Sequence, residues 1–514
     1  MTQIRVLDSY SEDRWLKGAR ARDLVSAIDG SPVATMPEAA DAAAMLDHAR
    51  LVGGPALRAM TFQARGRMLR ALADKLTEHK EALYELSAHT GATRSDSAFD
   101  IEGGIGTFFA YSSLAKKLPD AHFLPEGERL AISKGDFLGQ HLLAPLHGVA
   151  VHINAYNFPV WGMLEKLAPT LLAGMPAVIK PATVGAYLAE AAFRIIIESG
   201  ILPPGSVQLL LGEPGDLFDH LGGQDSVAFT GSAATASRLK VHPVLVANTV
   251  RFAAEQDSLN AAILGPDVTA DAPEFDLFVR EVVREMTQKA GQKCTAIRRI
   301  LVPRAQADAV GDAIVARLNA MTSGDPRAEK TRLGALAGIA QRDDVIANLA
   351  ALRAEAEILC GGTVPDLGAA LAGGAFFDAT LLRCANPSSA TAVHSVEAFG
   401  PVSTLMPYDD VDEATAIANA GAGSLALSIF SHDRAAAARL VAGVSTFHGR
   451  ILIIDRENAA LSSGHGAALP QLQHGGPGRA GGGAELGGAI GMQPYLQRTA
   501  IQASAEMLAE LETY

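Results

Sequence analysis

Cysteine is scarce in this chain of 514 residues: there are three, Cys294, Cys360 and Cys384. An odd count without paired spacing excludes a disulfide scaffold, suits a reducing compartment and leaves each thiol free. Cations are outnumbered, 43 Lys and Arg against 56 Asp and Glu, for a net charge of −13. That balance argues against a broad nucleic-acid or anionic-membrane surface, and leaves room for an anionic ligand held by a few local cations. No apolar run escapes charge, Gly or Pro for about 18 residues, so no membrane span is expected. The opening MTQIRVLDSYSEDRW lacks the apolar stretch of a secretory signal. The 14 His are scattered without the Cys/His spacing of a zinc site, so no metal is expected. What remains is the composition of a soluble, cytoplasmic protein, 48% apolar and 19% charged, long enough for two or three lobes.

Residues Asp23–Thr35 hold two β-prone runs around Asp29-Gly30, a hairpin signature. From Pro37 to about Leu114 the chain is Ala-, Leu- and Arg-rich with helical spacing, as in Met68, Leu69, Leu72 and Leu76. Residues 115–149 hold more Pro and Gly and shorter runs, which predicts a connector or protruding hairpin. The rhythm then changes. Strands at Val149–Ile153, Ala177–Ile179, Val207–Leu211 and Val227–Phe229 alternate with helices at Val160–Leu172, Ala186–Ile197 and Leu217–Leu221. A second run alternates Asn260–Leu264, Phe275–Lys289, Arg299–Val302, Ala305–Met321, Val402–Met406, Val411–Ala418 and Leu425–Phe430. Such alternation over short loops predicts an α/β fold of two parallel-sheet lobes. Tyr495–Ala503 alternates like an edge strand, the kind that pairs with another subunit.

The GxGxxG pattern at Gly476-Pro-Gly478-Arg-Ala-Gly481 lacks the flanking strand and helix of a dinucleotide fingerprint, so it reads as a flexible Gly-rich loop near a site mouth. Lys180 ends a strand at the carboxyl edge of the predicted sheet, and reads equally as a solvated lysine or as a ligand of ribose or phosphate. Thr230-Gly231-Ser232 is a Gly turn and hydroxyl cap opening a helix: a plain N-cap, or an anion cradle. Cys294 sits in a polar turn beside Lys293, which could lower its pKa, and reads equally as a buried structural thiol or as a thiolate nucleophile. Cys360 and Cys384 follow apolar runs and read as packing residues. Glu255 lies at a strand end and taken alone reads as a solvated carboxylate, or, where partly desolvated, as one with a raised pKa able to serve as general base. Asp257 is either a like-charge neighbour or a turn residue. Asn157 stands where a strand meets a helix, as a cap or as a donor to a developing oxyanion. Glu397 and Phe399 precede a Gly-Pro turn.

Taken in order, Asn157-Phe-Pro, Ile179-Lys180-Pro, Phe229-Thr-Gly-Ser232, Glu255, Gly291-Gln-Lys-Cys294 and Glu397-Ala-Phe399-Gly-Pro resemble the aldehyde dehydrogenase superfamily across nearly the whole chain. The resemblance implies a Rossmann-like cofactor domain (1–120 and 150–253), an α/β catalytic domain (254–491) and a small β oligomerisation flap (121–149 and 492–514) of a homodimer. It implies Cys294 as nucleophile, Glu255 as base for the hydrolytic water, and the Asn157 amide with the Cys294 backbone N–H as oxyanion donors. Lys180 and Glu397 would hold the two riboses, Phe399 would pack near the nicotinamide, and Thr183, Gly231 and Ser232 would complete the cofactor site.

Three departures carry further expectations. Thr183 stands where many NAD-preferring members have Glu, so NADP is expected to be preferred, with NAD possible. Ala236 replaces a Gly, which would reposition the phosphate-side helix. Gln256-Asp-Ser-Leu-Asn260 replaces Leu-Gly-Gly. With Val149–Met163 and His474–Gly483, that last stretch resembles a branch of aromatic catabolism that oxidises CoA-thioester semialdehydes after ring opening. The implied substrate is 3,4-dehydroadipyl-CoA semialdehyde from benzoate breakdown. The alternatives are the ring-opened phenylacetyl-CoA semialdehyde, a CoA-acylating reaction, which generally proceeds without the Glu255 base, and a non-catalytic scaffold.

Overall fold

A computed structural model describes residues 4–38 and 40–514; the first three residues of the polar opening segment lie outside this range. Two seven-stranded, mostly parallel sheets organise the chain. In the first, Arg251–Glu255, Ser226–Thr230, Ala150–Ile153, Ala177–Lys180 and Val207–Leu209 run parallel in that spatial order, and Ser9–Ser11 and Arg14–Leu16 extend the edge antiparallel. Runs such as Ala177-Val-Ile are fully buried because helices cover both faces, the condition under which a strand is continuously apolar instead of alternating. The second sheet orders Glu357–Cys360, Thr380–Arg383, Val402–Tyr408, Arg299–Pro303, Ala261–Leu264, Ser424–Phe430 and His448–Ile454, only the first of them antiparallel.

The helical N-terminal region resolves into Ala42–His48, Gly54–Arg58, Phe62–Glu78, Lys80–Ser87 and Arg94–Ala115. Met68, Leu69, Leu72 and Leu76 all point into the first core. Arg94–Ala115 begins with a capping box in which Thr93 and Asp96 satisfy each other's backbone N–H groups. The Asp29-Gly30 hairpin forms between Arg20–Val25 and Pro32–Pro37, with Gly30 at φ +75° and Asp29 accepting from Ser31.

Residues 115–149 contain the hairpin Leu124–Ala131 and Phe137–Pro145, and Leu496–Ser504 pairs antiparallel along the second strand to close a three-stranded sheet. Leu496–Ser504 is an outer strand there and is largely exposed. Among the described residues no helix is long and apolar enough to cross a membrane. The Gly476–Gly481 segment is not the loose loop expected from its composition. It lies between the paired strands Gln473–Gly475 and Ala484–Leu486, and its backbone is pinned by bonds from Gln256 N to Ala480 O and from Arg479 N to Ala422 O.

Candidate active site

Four neighbouring parallel strands of the first sheet release polar residues at their carboxyl ends. Ala150–Ile153 runs out into Asn154 and Asn157, Ala177–Lys180 ends on Lys180, Ser226–Thr230 leads into Gly231 and Ser232, and Arg251–Glu255 ends on Glu255. The register sets Thr230 beside Glu255 and Ile153 beside Lys180. The cysteine arrives from the other lobe, on the turn that precedes Arg299–Pro303. Every site residue expected from the sequence lines one cavity of about 770 Å³: Cys294, Glu255 and Asn157, Lys180, Thr183, Gly231 and Ser232, Glu397 and Phe399.

The turn that presents Cys294 is built on strained backbone. Lys289, Ala290 and Gly291 take φ of +54°, +52° and +68° in succession. A left-handed conformation costs roughly 1–2 kcal/mol for each non-glycine residue, so surrounding bonds must enforce it. Lys289 N donates to Asp96 Oδ1 at 2.8 Å, and its Nζ donates to Thr90 O at 2.9 Å. Gln292 bridges Lys289 O and Ala337 N, and Arg298 donates to Gly291 O and Gly400 O. This run also explains why the preceding helix stops at Thr287, short of the expected Lys289.

The Asp-Ser-Leu-Asn260 stretch steadies the same turn. Asn260 Nδ2 donates to Cys294 O at 2.8 Å and to Ala296 O at 3.0 Å, and Ser258 Oγ donates to Asn260 Oδ1 at 2.7 Å. Asp257 proves to be a turn residue with a defined job: its Oδ1 accepts from Ala233 N at 2.9 Å, at the start of the helix that Ser232 caps. Ala236 on that helix is buried against Phe229 and Ala254.

Two electrostatic expectations are corrected. Lys293 lowers the Cys294 pKa as expected, but burial and the neighbouring carboxylates outweigh it. Its ammonium turns away to Glu285 at 2.8 Å and Gln288 at 2.7 Å, while burial and the Glu255 carboxylate push the thiol well above its ordinary range. Glu255 is not raised. Burial favours its neutral form, but the imidazole of His474 and the buried Lys166 outweigh this and hold the carboxyl below the usual range. His474 Nε2 lies 3.1 Å from Glu255 Oε2 and 4.0 Å from Cys294 Sγ. The donor atoms of the three side chains all fall within 4.8 Å of one another. His474, Lys166 and Arg298 are the site residues that motif reading did not assign. Their signal is spatial, because the contacts of Lys166 with Glu485, Arg298 with Glu397 and His474 with Glu255 join segments distant in sequence.

The remainder of the cavity suits a dinucleotide. Asn154 is buried with neither carboxamide atom bonded, and Thr230 Oγ1 is likewise buried and unpaired. Buried polar atoms are rarely left so, and both line the cavity, where ribose hydroxyls and phosphate would satisfy them. Lys180 Nζ reaches only Pro181 O, at 3.1 Å, and burial lowers its pKa. Glu397 accepts from Ser258 N at 3.0 Å and pairs with Arg298 at 3.4 Å; burial, only partly offset by Arg298, pushes its carboxyl up to about 7. The Arg298 guanidinium also lies over the Phe399 ring, which meets Tyr156 edge-on at 6.0 Å. Of the other thiols, Cys384 is buried and Cys360 half-buried, and burial raises both.

Comparison with known proteins agrees with this geometry. The model of the aldehyde dehydrogenase family matches residues 15–501. The chain belongs to that family. It is thus an NAD(P)-dependent aldehyde dehydrogenase with the family's mixed α/β fold. A 3,4-dehydroadipyl-CoA semialdehyde dehydrogenase of Aromatoleum evansii is 45% identical over 478 residues, 92% of this chain and 93% of that one. Protein MaoC of Klebsiella aerogenes is 49% identical over 180 residues, 35% of this chain and 52% of that one. Among solved structures, the betaine aldehyde dehydrogenase of Staphylococcus aureus in complex with NAD+ superposes with a TM-score of 0.84 at 27% identity. That match covers 97% of this aldehyde dehydrogenase and 94% of the other chain.

Proposed function

We propose that this aldehyde dehydrogenase oxidises an aliphatic CoA-thioester semialdehyde, 3,4-dehydroadipyl-CoA semialdehyde, to the corresponding acid in aerobic benzoate breakdown, with NADP as the preferred acceptor. The observation that carries the chemistry is the convergence of a thiol, a carboxylate and an imidazole within 4.8 Å at the wall of a large cavity. The substrate follows the 45% identical relative, whose name states that activity.

In the proposed reaction Cys294 Sγ forms a bond to the aldehyde carbon, and the Asn157 amide and the Cys294 backbone N–H receive the oxyanion. When bound, a nicotinamide cofactor would supply the two-electron acceptor for the aldehyde hydrogen, and Cys294 would then carry the acyl group as a thioester. Glu255 then takes a proton from water, the new C–O bond forms, and the C–S bond breaks to release the acid and the thiolate. The presence of Glu255 favours water over free CoA as the acceptor of the acyl group. Thr183 supports NADP because a neutral side chain there does not repel a 2′-phosphate, and the pocket residues Lys180, Gly231, Ser232, Glu397 and Phe399 are assigned to the cofactor.

Residues 1–120 and 150–253 are assigned to cofactor binding, 254–491 to catalysis, and 121–149 with 492–514 to the contact of a cytoplasmic homodimer. A panel of free and CoA-linked aldehydes, assayed with NAD and NADP and with product analysis in the presence and absence of CoA, tests the reading. Acid formation from the CoA-linked semialdehyde, fastest with NADP, is expected. Acyl-CoA formation only when CoA is added, or turnover confined to free aldehydes, would refute it.

A further inference from the structure

We propose that His474 is a third catalytic residue, an imidazolium whose Nε2 serves as the common counter-charge of the Glu255 carboxylate at 3.1 Å and the Cys294 sulfur at 4.0 Å. The proposal rests on the aldehyde-oxidising reading above and assigns this site a residue that the sequence motifs left without a role.

Glu255 and His474 are buried and Cys294 is half-buried at the cavity wall, and a buried anion without a partner is strongly disfavoured. The other cations nearby are committed elsewhere. Lys166 bonds Glu485 at 3.0 Å and lies 3.5 Å from Glu165, Lys293 is held by Glu285, and Arg450 donates to His465 O and Ala467 O. His474 is therefore the cation in direct contact with Glu255 among the described residues. Its position is set by the short strand Gln473–Gly475, which pairs His474 opposite Glu485.

The Glu255 carboxylate meets His474 at Oε2 and has the Cys294 thiol beside it, which leaves acceptor sites unfilled. The carboxylate thus keeps a lone pair for an incoming proton while the imidazolium compensates its charge. When the Cys294 S–H bond breaks, the proton goes to Glu255, which becomes neutral, and the imidazolium then faces the thiolate instead. One negative and one positive charge are present before and after the transfer. After acylation the Glu255 proton passes to solvent. In hydrolysis a proton from water returns to Glu255 as the thiolate leaves, and His474 again faces the new anion. The groups facing His474 fit this role: Glu255 and Glu165 favour its charged form against burial and Arg450, and together they raise it above its ordinary range.

The test is the rate at which iodoacetamide alkylates Cys294, followed by mass spectrometry of its peptide from pH 5 to 10 in enzyme without substrate or cofactor. In His474→Gln and His474→Phe the alkylation midpoint should move up by about one unit or more, slowing the reaction at pH 7 about tenfold. In Glu255→Gln it should move down. A His474 profile that superposes on the native one, or moves down, overturns the proposal. Should neither His474 variant fold, the ring of His474 in native enzyme, recognised in histidine nuclear magnetic resonance by its response to Cys294 alkylation, decides the matter. A ring charged above pH 8 supports the proposal, and a ring neutral at pH 7 overturns it. Because no aldehyde enters these measurements, failure here leaves the aldehyde panel as a separate test of the reaction itself.

Discussion

Replacing Gly291 by Ala asks whether the strained turn behind Cys294 is a working part of the enzyme. Gly291 sits at φ +68°, where a side chain costs about 1–2 kcal/mol. An added Cβ would also overlap the carbonyl of Gly400, which is backbone and cannot swing aside. Overpacking of that kind costs typically about 1–3 kcal/mol. The sum, about 2–5 kcal/mol, falls on a contact with direct consequences, since Arg298 bonds both Gly291 O and Gly400 O and also pairs with Glu397. Relief of the overlap must move either the nucleophile turn or the cofactor-side carboxylate. A displacement of about 1 Å can cost about a hundredfold in rate. Gly291→Ala should therefore lower kcat/KM by at least about tenfold and slow Cys294 alkylation. Gly106→Ala, within Arg94–Ala115 where an added Cβ meets nothing within 4 Å, should leave both unchanged. Steady-state kinetics and alkylation on the two variants make the comparison. Equal behaviour of the two would refute the claim that this backbone positions the thiol.

Thr183→Glu should cut kcat/KM for NADP by at least about tenfold while sparing NAD, because a carboxylate facing the 2′-phosphate is a like-charge contact; unchanged selectivity would remove Thr183 from the pocket. Glu397 titrates at about 7, so it is mostly neutral at pH 6 and ionised at pH 8, when it accepts ribose hydroxyls best. The apparent affinity for cofactor should rise across that interval in native enzyme and stay flat in Glu397→Gln. Parallel profiles for the two enzymes would contradict the assignment.

Much of the fold was legible because buried parallel strands such as Ala177–Lys180 are short apolar runs bounded by turns, and the helices between them carry regular apolar spacing. The strands missed in the motif reading, Ser9–Ser11, Thr380–Arg383 and His448–Ile454 among them, are brief or carry polar ends, and are fixed by pairing with distant partners. The site divides in the same way. Residues at strand ends or in recognisable turns, such as Lys180, Glu255 and Cys294, could be named from local pattern. Their charge states could not. Lys293 is adjacent to Cys294 in sequence, yet its side chain is claimed by Glu285, whereas His474, 180 residues away, reaches the sulfur. Proximity along the chain overstated Lys293 because electrostatics follows the folded distance, the burial and the competing partner.

In the proposed reaction acyl transfer runs through Cys294 and is completed by Glu255. Intact-mass spectrometry of Glu255→Gln mixed with the CoA-linked semialdehyde and NADP tests it most directly. Above the lowered Cys294 midpoint of this variant, where the thiolate forms without the Glu255 base, one equivalent of reduced cofactor should form in a burst with a matching acyl adduct on the Cys294 peptide and little further turnover. Steady turnover without an adduct, or an adduct on another residue, would contradict it.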